Sequence, residues 1–234
     1  MNPLLTKIIP LIPSILKKKR SWVGVIALLG AGYFATASVT PSIDWLWKEP
    51  RDALVERVEE ARDSQHDGAE QFQDALTEFK TVVNLPESDL ERQYTKLNKA
   101  HKRSQAAADK ISTRINRVVK ASNRLLDEWR SELDDYSDPQ LRRIAEQQFD
   151  QTREQATRLI SSMRQIEDRM QPVLASFQDQ VLYLKHNLNL SAIAALEGEA
   201  TIIESNVDIL IADMNRSIAE ADSFIAVMLE QDPS

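Results

Sequence analysis

The residues able to do chemistry are few, and their spacing does not suit it. The three histidines, His66, His101 and His186, stand in no His-Glu-x-x-His run and form no His-x-x-x-His pair. A di-iron bundle needs Glu-x-x-His on two helices, and no histidine here has Glu three residues before it. The chain has no cysteine, which removes disulfides, thiolate metal sites, a cysteine nucleophile and a lipid-bearing thiol. Of its five glycines, Gly24, Gly30 and Gly32 crowd near the N-terminus. Phosphate loops and sheet turns depend on glycine, so a P-loop, a dinucleotide fold, a barrel and a sandwich are all disfavoured. Glu56, Glu59 and Glu60, like Glu197 and Glu199, read as solvated helix faces. The expectation is a protein that is not an enzyme and has no cofactor or metal.

Two polar features remain. In LYLKHNLN, the residues Lys185, His186, Asn187 and Asn189 are more polar-specific than a turn requires, and loop positions often carry function. They read as a partner-binding tip. They also suit a helix cap, since asparagine favours a C-terminus and Lys or His its negative dipole end. The second feature is a polar break in an apolar seam, with Gln65 and Gly68 expected opposite His101 and Ser104. Polar seam residues commonly specify register at some cost in stability.

The elements that would position these residues are helices. Pro41 and Pro50 bracket a linker, Pro86 and Pro139 mark turns, and Pro172 falls inside a helical pattern that it should kink. Between those marks, apolar residues step by alternating fours and threes. Helices are expected over about 51–84, 88–136, 139–188 and 191–230, with seams such as Leu54-Val58-Ala61 and Leu210-Met214-Ile218. This periodicity runs well past the few heptads that identify a coiled coil. Short turns make the helices antiparallel neighbours. The turns near 86 and 189 would then share one end, and the turn near 138 would lie at the other. At ~1.5 Å per residue the rod would reach ~75 Å. Leu126, Val119, Ile160, Leu174 and Ile202 lie beside the seams and would either widen the core or face another chain.

Residues 21–40 carry no charge, and Lys17–Arg20 precede them directly. Twenty helical residues span ~30 Å, the thickness of a bilayer core. Trp22 at one end and Trp45 and Trp47 at the other suit an aromatic belt, and the basic cluster predicts a cytoplasmic N-terminus. The competing reading is a signal peptide cleaved after Ala35-Thr36-Ala37. Within the span, Gly24, Ala27, Ala31 and Ala35 form a small-residue stripe suited to transmembrane self-association. Residues 1–40 have a net charge of +5, whereas residues 41–234 have 24 bases against 36 acids. So acidic a body argues against nucleic acid as a partner. The expected organisation is a basic, apolar cytoplasmic segment (1–20), a transmembrane signal anchor (21–40), a linker (41–50) and a periplasmic bundle (51–231). The expected fold is all-α: a single N-terminal transmembrane helix followed by an elongated antiparallel four-helix coiled-coil bundle.

Four segments carry a family resemblance: RDALVERVEEARDSQ (51–65), QFQDALTEF (71–79), DEWRSELDDYS (127–137) and MQPVLASFQDQVLYLKHNLN (170–189). Over about 50–230 the chain resembles the bacterial family known as domain of unknown function 2959. The resemblance implies a secreted or envelope-anchored coiled-coil protein of Gram-negative bacteria with no assigned activity. Members often begin with a lipoprotein signal; this chain, without cysteine, departs from that pattern. Residues and resemblance together lead to an expected inner-membrane location with the bulk of the chain periplasmic. The expected role is that of a scaffold or interaction subunit, with a homo-oligomer or another envelope protein as partner. The alternative is a membrane-remodelling helical-hairpin protein of phage-shock or ESCRT-III type.

Overall fold

The computed structural model describes residues 44–83, 90–187 and 190–230, and these form four long helices and a short 3-10 turn. They are α1 (Asp44–Val83), α2 (Leu90–Glu132), α3 (Pro139–His186) and α4 (Leu190–Glu230), with the 3-10 turn at Leu133–Asp135 closing α2. The forty-eight residues of α3 correspond to ~72 Å of helix. The expected span 21–40 lies outside the described residues, together with Gly24, Ala27, Ala31 and Ala35. None of the described helices is long and apolar enough to cross a membrane.

Each helix packs chiefly on two neighbours: α1 on α2 and α4, and α3 on α2 and α4. The bundle is therefore closed, and α1 and α3 face one another across its axis, where the Phe79 and Phe177 rings meet edge to face at 6.3 Å. One continuous core runs through all four helices, from Leu54 and Val58 through Ile111, Met163 and Leu210 to Met228. Salt bridges fix the heights from outside. Lys110 meets Asp67 at 2.9 Å and Arg114 meets Glu60 at 2.6 Å across α1 and α2, and Arg62 meets Asp222 at 3.0 Å across α1 and α4.

Several boundaries differ from expectation. α1 begins at Asp44 and runs through Pro50, so the expected linker is helical from that point. Pro50 deprives the Leu46 carbonyl of one hydrogen bond, a local loss that does not end a forty-residue helix packed on two neighbours. α3 runs through Pro172, inside the helix as expected, and the Ser176 hydroxyl donates to the Pro172 carbonyl at 3.0 Å. The start of α3 is as the sequence suggests: Pro139 opens the first turn, and the Asp138 carboxylate accepts from the Gln140 and Leu141 amides.

The α1–α2 register is also corrected. Ser104 donates to the Gln71 carbonyl at 2.9 Å, and a Cβ on Gly68 would lie 2.5 Å from Ile111 Cδ1. Gly68 thus faces Ile111, seven residues beyond Ser104, and the expected single polar layer is dispersed. In α4 the seam passes from Met214 through the fully buried Ser217 to Ala221, leaving Ile218 half-buried. Among the residues beside the seams, Leu174 is buried, Ile160 packs on the core and Ile202 is 56% exposed.

This register has a direct test. Gly68→Leu should destabilise the bundle by about 1–3 kcal/mol through overpacking. Ile111→Ala in the same chain should recover part of that loss, read by urea unfolding. Additive losses would place Gly68 opposite some other residue.

Candidate functional site

Two turns before its C-terminus, α3 forms one wall of a groove whose other wall is α2. Gln178, Val181, Leu182 and Lys185 come from α3; Tyr94, Asn98, His101, Lys102 and Gln105 come from α2. On each helix these residues recur at spacings of three and four, which places them on one face beside the core seam. The groove encloses about 440 Å³. His101 and Val181, each 7% exposed, lie deepest, whereas Lys102 and Lys185 are exposed. Neither lysine forms an ion pair among the described residues, and no carboxylate lines the groove. At its margin, Gln105 donates to Asp109 at 3.1 Å.

His101 is the least ordinary group present. Its Nε2 is buried and has no hydrogen-bond partner among the described residues. Burial pushes the imidazole pKa down, with nearby Lys102 adding to the effect, while a hydrogen bond with the Leu174 backbone pulls the other way.

The expected tip residues separate. Lys185 turns into the groove. His186 is exposed at the last residue of α3. Asn187 caps that helix: its backbone N–H donates to the Leu184 carbonyl at 3.2 Å and its side-chain amide to the Tyr183 carbonyl at 3.0 Å. Asn189 lies outside the described residues. Sequence reasoning placed His101 in the α1–α2 seam and Tyr94 in the same apolar stripe, and did not single out Asn98, Lys102 or Gln105. Their common face is legible from spacing, but its meeting with α3 requires the α2–α3 register.

A second polar centre joins α3 to α4. The Asp213 carboxylate is nearly buried and pairs with Arg169, with Arg216 at 2.8 Å and, more weakly, with Gln165 at 3.4 Å. Two guanidinium groups on one carboxylate satisfy its charge and leave it no role as a base. At the α2–α3 end, Trp129 and Phe149 meet edge to face at 5.9 Å, and Arg130 and Arg153 both lie over the Phe149 ring. Among the described residues no group of three His, Asp or Glu is placed to hold a metal ion.

An all-helical bundle of this kind, with polar grooves and a closed core, defines a structural class and no reaction. The chain belongs to the family described as protein of unknown function (DUF2959), whose model matches residues 42–228. No curated protein and no solved structure matches it.

The buried imidazole gives stability a pH dependence. Its folded pKa lies below the ordinary value of about 6.5, so the unfolded chain takes up the proton first. The stability associated with the neutral ring is present above about pH 6.5 and declines as pH falls towards the folded pKa. Unfolding midpoints between pH 7.5 and about 5.5 should therefore fall more steeply for the native chain than for His101→Gln. Parallel slopes would show that the ring titrates as in the unfolded chain.

Proposed function

We propose that the protein is a non-enzymatic, membrane-anchored scaffold or interaction subunit of the bacterial cell envelope, with its bundle on the periplasmic side. The observation that carries this reading is the arrangement of the chain. An uncharged segment of spanning length follows Lys17–Arg20, and the rest is almost wholly a helical bundle that presents grooves and charged faces. A basic cluster on one flank sets orientation, and helices of ~60–70 Å give the bundle long faces for contacts with other proteins. The small-residue stripe Gly24, Ala27, Ala31 and Ala35 supports association of spans. The exposed Ile202 and Ile209, one heptad apart on α4, support a contact between bundles or with another envelope protein. Closure of the four helices on one core favours this reading over a remodelling hairpin, which must expose its hairpin faces to polymerise.

Two measurements test it. A cysteine at Ser137, between α2 and α3, should react with a membrane-impermeant maleimide in cells whose outer membrane alone is permeable. Labelling only after inner-membrane lysis would reverse the topology. In detergent, light scattering should give more than a monomer mass, and Ala31→Leu should lower it. A monomer at micromolar concentration would remove the oligomeric part of the proposal.

A further inference from the structure

α4 is the most apolar of the four helices, and not only on its buried side. Ile202 and Ile209, one heptad apart, are 56% and 44% exposed, and the small side chains of Ser205, Ala212 and Ala219 lie exposed beside them. A helix that is apolar beyond its core stripe suits one covered by more than its own bundle. The charge around this strip is of one sign, since α4 has eight acids and one base. Glu197, Glu199, Asp208 and Glu220 are exposed and form no ion pair among the described residues.

α2 is the reverse, with eleven bases and five acids. Lys96, Lys99, Lys102 and Lys120 are exposed on it and likewise unpaired among the described residues, around the small Ala106 and Thr113. Both helices pack chiefly on α1 and α3, so they occupy opposite corners of the bundle and turn these faces away from each other. Up-down order runs α2 and α4 in the same direction, and their contacts with α1 set their heights. With Ser104 on the Gln71 carbonyl and Arg62 on Asp222, Ala106 lies within a turn of Ala212, and Lys99 within a turn of Asp208. A basic face alone would accept any polyanion. An acidic, apolar face at matching heights on the same chain selects another copy, set beside the first in the same orientation.

We propose that copies of this chain associate side by side, α4 of one bundle on α2 of the next. Ile202 and Ile209 pack on the aliphatic stems of the α2 lysines, and the acids of α4 face the lysine ammonium groups. The two surfaces differ, so the contact is heterologous. Each pair keeps one α2 face and one α4 face free, and assembly continues past the dimer into a row or a ring. This rests on the interaction-subunit reading above and deepens it by naming a second copy as the partner.

The test is cross-linking of full-length chains in detergent, helped by the absence of native cysteine. Ala106→Cys and Ala212→Cys chains, one of them isotope-labelled, are mixed and treated with a short bismaleimide. Position 106 should join position 212 at several times the yield of 106–106 or 212–212 links, and a chain with both cysteines should give trimers and larger products. Lys96→Glu/Lys99→Glu in the first chain should lower the yield about tenfold, and Glu199→Lys/Asp208→Lys in the second should restore it. Should these variants lose helix, Lys99→Glu against Asp208→Lys gives the same reading. Like-with-like links at equal yield would make the contact isologous, and indifference to charge reversal would remove its basis; either overturns the proposal and leaves the oligomer itself standing. Absence of a 106–212 product overturns it as well, and a monomer mass by light scattering in the same sample would remove the oligomer with it.

Discussion

Each helix carries an apolar stripe wider than one neighbour can cover, and closure of α4 against α1 is what buries it. On α1 the buried set includes Val55 and Leu76 as well as Leu54, Val58, Ala61, Phe72 and Phe79, so it extends beyond a two-residue heptad seam. A hairpin of α1 and α2 alone would leave part of that width in water. Burying a large apolar side chain stabilises by ~1.5–3 kcal/mol, so the bare edge of an open hairpin would be a severe loss. With α4 in place, Met214 comes within 3.8 Å of where a Cβ on Gly68 would lie, and Phe79 reaches Phe177 across the axis.

Polar groups inside such a core act through position. Gln65 is wholly buried with neither amide atom hydrogen-bonded among the described residues, and the Ser217 hydroxyl is in the same state. Unmade bonds of this kind cost stability, so the surrounding apolar contacts outweigh them. Asp213 differs, since its two arginines satisfy it at the α3–α4 boundary. Removing one partner of such a centre exposes an unpaired charge, which penalises any register that separates α3 from α4. His101 is a third case: its ring is buried between α2 and α3, and its Nε2 has no hydrogen-bond partner among the described residues.

Helix number, order and most of the core were legible in the sequence because a repeat of fours and threes has few other readings. The Asp138–Pro139 start was legible for a similar reason, since capping chemistry is local. Pro50 misled because proline was weighed as a boundary without the packing that carries a helix through it. Ile218 misled because its hydrophobicity outweighed strict spacing, which selects the small, polar Ser217. Register was the hardest property. It depends on side chains meeting across helices, and Gly68 faces Ile111 because the missing Cβ leaves room for that side chain. The groove inherited the same difficulty: Lys185 was singled out as part of a tip, but its association with Tyr94 and His101 follows only from the α2–α3 pairing.

Closure of α1 on α4 is tested most directly by zero-length carbodiimide cross-linking of a mixture of isotope-labelled and unlabelled full-length protein. Lys80 and Glu204 are in direct contact across α1 and α4, and Lys110 and Asp67 lie 2.9 Å apart across α1 and α2. A closed bundle predicts both links, each joining peptides with the same label. A Lys80–Glu204 link that is absent, or that joins labelled to unlabelled peptides while Lys110–Asp67 stays within one chain, would show that α4 packs elsewhere and would contradict the closed bundle.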